Sequence, residues 1–198
     1  MNDFEVKKKA PDQKEVFSFF WEVIKIAAVA LAIIVPVRYY LFQPFFVKGA
    51  SMEPSFDDGD YVLIDEITYR FRDPQRGEVI IFRSPQDRSQ FYIKRVIGLP
   101  GEQVQIKNSQ VTIFNEQNPE GLLLNESNYL ESDALTLGSL KAKVARNEYF
   151  VLGDNRSHSS DSRLWGAVNK NLITGRVLLR AWPLDKITKF KTVTYSTP

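Results

Sequence analysis

Three segments of the sequence carry residues that could do chemistry together. The first is Gly49-Ala50-Ser51-Met52-Glu53-Pro54-Ser55. A serine preceded by Gly-Ala and followed shortly by proline sits on a preordered turn. Such a turn can offer both the hydroxyl and its own backbone N–H to a ligand, although serines in turns equally satisfy local hydrogen bonds. The second is Tyr92-Ile93-Lys94-Arg95-Val96-Ile97-Gly98-Leu99-Pro100-Gly101-Glu102. Alternate side chains of a strand share a face, so Tyr92, Lys94 and Val96 point one way. If that face is buried, desolvation favours the neutral amine, which can take a proton from a serine hydroxyl as general base. On an exposed edge the same lysine keeps its head in water. The third segment, Gly153 through Gly166, packs Asp154, Asn155, Arg156, Ser157, His158, Ser159, Asp161, Ser162 and Arg163 in front of a Trp-Gly. It reads either as a polar network bracing the walls of a site or as a solvated loop.

Composition narrows the chemistry. The 198 residues contain no cysteine and one histidine, His158. Disulfides, thiol nucleophiles, and Cys- or His-rich metal sites are therefore excluded. Hydrolysis has to come from Ser, Lys, Asp, Glu or Tyr with at most one imidazole, so a triad of a serine with His158 and an aspartate stays open. Lys plus Arg number 26 against 24 Asp plus Glu, a net charge of +2. That balance argues against a nucleic-acid partner. No phosphate-binding glycine loop, G-x-S-x-G elbow or H-E-x-x-H occurs. Asp57-Asp58-Gly59-Asp60 lacks calcium-loop spacing and reads as a turn.

The elements that must position these residues fall into two regions. Residues 1–15 are polar and include Lys7, Lys8, Lys9 and Lys14. From residue 16 the chain is strongly apolar, long enough for a membrane span over 16–42. A buried core helix and a cleavable secretory signal, with Ala28-Val29-Ala30 as its site, are the competing readings. Glu22 and Lys25 lie three apart on one helix face, where they can pair. Tyr39, Tyr40, Phe42, Phe45 and Phe46 follow as interfacial aromatics. Pro36 suggests a kink and Pro44 a stop. Basic residues ahead of the span put the N-terminus in the cytoplasm and residues 43–198 on the far side.

Beyond residue 47 the pattern becomes short strands, at 61–64, 78–82, 91–97, 149–152 and 176–182. A hairpin is expected at 104–106 and 111–113, turning around Lys107-Asn108-Ser109. The polar stretch within about 103–147 suggests a small inserted β subdomain. A mainly β fold results, an antiparallel sheet domain behind one N-terminal transmembrane helix.

Taken together and in this order, the segments resemble type I signal peptidases, membrane-bound Ser/Lys endopeptidases. The matching features are the apolar span, Ser51-Met52-Glu53-Pro54, and the Arg-Gly-Glu-Val-Ile-Ile-Phe run from Arg76 to Phe82. Tyr92-Ile93-Lys94-Arg95 with Gly98-Leu99-Pro100-Gly101 also matches, as does Gly153-Asp154-Asn155-Arg156 with Ser159, Asp161, Ser162 and Arg163. The resemblance implies Ser51 as nucleophile and Lys94 as general base. Ser159 would orient the lysine amine, Asp161 and Arg163 would form a structural ion pair, and Tyr92 and Arg95 would flank the base. The Ser51 N–H would be one oxyanion donor. Some relatives place a serine two positions before the nucleophile as the second; Gly49 leaves that to a backbone group or another residue. The implied substrates are translocated preproteins cut after small residues in Ala-x-Ala sites. Membrane lipid and the translocation machinery are the implied surroundings, in a plasma or thylakoid membrane, and no metal or organic cofactor is implied.

Overall fold

A computed structural model of the chain describes residues 13–40 and 42–195. The apolar run forms one helix, α1 (Gln13–Tyr40). Within it Val16–Val35 has a mean hydropathy of 2.1 and none of it is buried, so it is long and apolar enough to cross a membrane. A helix apolar on all sides suits a lipid environment better than water. Lys25 does not pair with Glu22; its ammonium lies 5.8 Å from the centre of the Trp21 ring. Residues four apart are also helical neighbours, and an aromatic face attracts a cation. The lysine run at 7–9 falls outside the described residues, as do the side chains of Pro36, Tyr39, Tyr40 and Phe42.

The rest of the chain is a separate unit of antiparallel strands. In order these are β1 (Phe42–Phe46), β2 (Tyr61–Asp65), a helical turn α2 (Thr68–Phe71), β3 (Val79–Arg83), β4 (Phe91–Gly98) and β5 (Gln103–Lys107). Then come β6 (Gln110–Phe114), β7 (Leu122–Leu123), β8 (Leu140–Lys143) and β9 (Glu148–Leu152). The turn α3 (Ser162–Trp165), β10 (Val168–Asn169), β11 (Ile173–Trp182) and β12 (Thr188–Lys189) close the chain. The main sheet runs β1-β2-β11-β3-β4-β9-β10, with β12 added to β11. Strand β11 thus bridges β2 and β3, and β4 is flanked on both sides.

The expected strands form, and the sheet is longer than expected at one edge. Phe45 and Phe46 belong to β1, paired with Val62 and Tyr61, so the strand starts two residues after α1 ends. Pro44 sits inside β1. It is tolerated because β1 is the sheet's edge, where a missing N–H breaks no ladder.

A second sheet, β7-β6-β5-β8, is built from residues lying between β4 and β9 in the sequence. Its hairpin turns at Asn108 and Ser109, both with φ positive (52° and 61°), the conformation that matches strand twist in a two-residue loop. Ile97, Phe150 and Leu152 of the main sheet share one core with Val104, Ile106, Val111 and Ile113 of the second. Burying both faces in one core makes the second sheet a support for the ends of β4 and β9.

Candidate active site

Ser51 is held from beneath by its neighbours. Met52 and Phe56 are fully buried in a cluster with Val47, Val62, Ile81 and Ile93. The sequence Ser-Met-x-Pro-x-Phe therefore works as two apolar plugs that leave the serine at the surface of the core. The Ser51 carbonyl accepts the Asn155 N–H at 3.2 Å, which ties this loop to the segment after β9.

Lys94 enters from β4, paired with Ile80 of β3. It is 4% exposed, and its Nζ lies 2.7 Å from Ser51 Oγ and 2.8 Å from the Ile93 carbonyl. Tyr92 shares its face, with the ammonium 5.8 Å from the ring centre. Burial pulls the lysine pKa from its usual value near 10.5 down to about 8, against the opposing pull of the Asp161 and Asp154 carboxylates. Desolvation outweighs the two acids because neither forms a direct ion pair with the amine. A lysine so placed is readily neutral in mildly alkaline water.

The remaining predicted residues lie on β4 and in the segment that follows β9. Asp161 is fully buried and pairs with Arg163 at 2.8 Å. It also accepts the Gly153 N–H at 3.1 Å and caps α3 by accepting the Arg163 N–H. Arg95 points to the opposite face of β4 from Lys94. There it forms two bonds to Asp154 (2.8 and 2.5 Å), one to the Gly77 carbonyl at 2.9 Å, and one to Ser55 Oγ at 3.3 Å. Ser159 lies against Gly153 and the Ser51 carbonyl. Its hydroxyl is buried without a hydrogen-bond partner among the described residues. The amine instead bonds to Ser51 and to its own strand. His158 is exposed and its Nδ1 contacts Ser157 Oγ at 2.9 Å and Asn155 Oδ1 at 3.3 Å.

Three supporting residues carry no signal of their own in the sequence. Glu126, from the loop after β7, makes two bonds to Arg156 at 2.8 and 2.6 Å, and Arg156 in turn donates to the Gly153 carbonyl at 3.0 Å. The Tyr129 ring lies 4.1 Å beneath the Arg95 guanidinium, and its hydroxyl meets that of Tyr195 at 2.9 Å. The contacts of Glu126, Tyr129 and Tyr195 bridge residues 30 or more positions apart.

The Arg95–Asp154 pair is buried on both sides, so removing one partner strands the other charge. Arg95→Ala is expected to destabilise the protein by about 3 kcal/mol, read as a drop in the urea midpoint. Arg95→Lys should lose most of that too, since a single ammonium cannot make the forked contact.

In front of Ser51 and Lys94 opens a cleft of about 750 Å³, walled by Phe45, Val47, Ile81, Phe91, Tyr92 and Ile93 together with Lys48–Ser51. The Phe45 and Phe91 rings meet edge to face at 5.1 Å across it. It can accept an extended, mostly apolar chain and bring one carbonyl to the serine. Among the described residues, no group of three or more His, Asp or Glu is placed to hold a metal.

Comparison with known proteins matches this chain to one family. Residues 20–182 match the family described as signal peptidase, peptidase S26. A probable signal peptidase I-2 of Synechocystis is 32% identical over 187 residues, 91% of this chain and 80% of that protein. The signal peptidase IB of Staphylococcus aureus is 32% identical over 170 residues, 80% and 87% of the two chains. A crystal structure of a signal peptidase I from Enterococcus faecalis is 31% identical and covers 53% of this chain and 97% of its own, with a TM-score of 0.44. With its serine box, lysine strand and final polar loop all inside the matched span, this chain belongs to the S26 signal peptidases.

Proposed function

We propose that the protein is a membrane-anchored endopeptidase that removes signal peptides from translocated preproteins with a Ser51/Lys94 dyad. The observation that carries this reading is the 2.7 Å separation of Lys94 Nζ and Ser51 Oγ at the wall of an apolar cleft. The neutral amine accepts the Ser51 hydroxyl proton as Oγ attacks the scissile carbonyl carbon. The carbonyl electrons move to oxygen, and the Ser51 N–H, which has no partner among the described residues, donates to the oxyanion. Collapse of this intermediate breaks the C–N bond. The Lys94 ammonium gives its proton to the departing amine, leaving the signal peptide as an ester on Ser51. Water, deprotonated by the again-neutral Lys94, attacks the ester and frees the serine.

The aromatic and branched side chains walling the cleft support selection for small residues at the first and third positions before the cut. The helix α1 anchors the enzyme, with its N-terminus cytoplasmic and the β unit across the membrane, near the translocation machinery. Confining enzyme and substrate to one membrane raises their effective concentration.

The test is cleavage of a preprotein with an Ala-x-Ala site in lipid. The wild type should cut after the second alanine, and Ser51→Ala should not cut. His158→Ala should retain turnover within about twofold, because the imidazole, although it lines the cleft, bonds to Ser157 and Asn155 and not to Ser51. Loss of turnover in His158→Ala would reinstate a histidine triad and sink the dyad.

A further inference from the structure

The acidic turn at 57–60 divides its labour. Asp60 Oδ2 accepts the Asp57 N–H at 2.9 Å, and the Asp60 carboxylate pairs with Arg180. Asp57 pairs with Lys186 at 2.7 Å. Asp58 reaches toward the serine loop: its Oδ1 accepts the Gly49 N–H at 2.7 Å, two residues ahead of Ser51.

What this bond holds has one other backbone tie among the described residues, the Ala50 carbonyl accepting the Glu53 N–H at 3.2 Å. Val47 is buried and locked, donating to the Asp60 carbonyl at 2.9 Å and accepting from the Gly59 N–H at 3.0 Å. Past the serine, Met52 is buried and the Ser51 carbonyl is held by Asn155. Between these fixed ends Lys48, Gly49 and Ala50 are exposed. Of their three amide donors, Gly49's is the one engaged among the described contacts. Gly49 has φ of +83°, and a Cβ there would meet nothing within 4 Å. Conformation, not crowding, therefore requires the glycine, and the twisted backbone aims its N–H at Asp58. These same residues form the cleft wall that runs into Ser51.

We propose that Asp58 is a positioning residue that fixes this wall, and with it the approach of a bound peptide to Ser51, by accepting the Gly49 N–H. A carboxylate acceptor makes that bond charge-assisted and stronger than a neutral one. The inference rests on the peptidase reading for its kinetic arm and on the structure alone for its exchange arm.

The experiment compares full-length wild type, Asp58→Ala and Asp58→Asn in detergent micelles with the same Ala-x-Ala preprotein. Misorientation of reacting groups is costly, so Asp58→Ala should lower kcat by about 10- to 30-fold. KM and the melting midpoint should stay unchanged, since Asp58 touches neither the core nor the cleft floor. Asp58→Asn keeps an acceptor oxygen and should stay within about threefold of wild type. In parallel, amide exchange over residues 47–51 should accelerate in Asp58→Ala and not in Asp58→Asn. Wild-type kcat in Asp58→Ala, unchanged exchange, or equal damage from both substitutions would overturn the proposal. If the wild type itself fails to cut, the peptidase reading falls, while the exchange result still decides whether Asp58 holds the wall.

Discussion

Lys94→Met is expected to cut preprotein cleavage by about a thousandfold or more, the range set by losing a general base that acts in both halves of the reaction. The same substitution should make the protein more stable. Methionine has nearly the lysine volume and fills the same slot between Tyr92 and Val96 without bringing a charge into it. At pH 7 the wild type buries an ammonium there, and replacing a buried charge by a well-packed apolar group is worth about 2 kcal/mol. Rate and stability also depend on pH in linked ways. The proposed dyad needs the neutral amine, so kcat/KM should rise with pH and level off above the lysine pKa of about 8. In the unfolded chain the lysine titrates near its usual value of 10.5, and in the folded state near 8. Between those values the unfolded state holds more protons, so wild-type stability should climb with pH from about 8 to about 10.5. That climb should vanish in Lys94→Met. Urea midpoints of both proteins across pH 7–11, beside the pH–rate profile of the wild type, check every part. A flat wild-type profile through pH 8, or a destabilised Lys94→Met, would show that Lys94 is not a desolvated base.

Gly153→Ala should be nearly as damaging, through space rather than charge. A Cβ on Gly153 would sit 2.2 Å from Ser159 Oγ and 2.4 Å from the Ser51 carbonyl oxygen. Both lie far inside contact distance. Ser159 can turn away, but the Ser51 carbonyl is backbone and is fastened to the Asn155 N–H. The nucleophile loop must therefore give way. Displacement of a reacting group by about 1 Å costs about a hundredfold in rate, so kcat should fall by at least that much. Overpacking should also lower stability by about 1–3 kcal/mol. The discriminating readout is kcat against thermal midpoint: a folded protein with collapsed kcat fits the wedge, and near-normal turnover refutes it.

The sequence made some of this legible for clear reasons. Strands β3, β4 and β9 are dense in branched and aromatic residues and bounded by turns, so their existence follows from composition. The burial of Lys94 is foreshadowed by its alternation with Tyr92 and Val96. By contrast β1 reads as a continuation of the apolar span, because Phe42–Phe46 has neither alternation nor a turn ahead of it and contains Pro44. Strand β8 alternates Leu140 and Ala142 with lysines, a real period-two signal that is hard to separate from its polar surroundings at four residues. Contacts such as Glu126–Arg156 and Tyr129–Tyr195, 30 and 66 residues apart, leave no local trace, since only the fold brings them together. Asp58 is similar in kind: its turn is readable, but which of its acids reaches the serine loop is not.

The order of strands in the main sheet has a consequence for how the enzyme is made. Ser51 hangs on the β1–β2 side and Lys94 on the β3–β4 side, and the strand hydrogen-bonded between those halves is β11. That strand follows both Ser51 and Lys94 in the sequence. Without β11 the two halves keep side-chain contacts such as Phe45 on Phe91 and Arg95 on Ser55 but lose the backbone ladder that joins them. Alignment of Ser51 with Lys94 is thus expected to be complete only once β11 has paired with both β2 and β3.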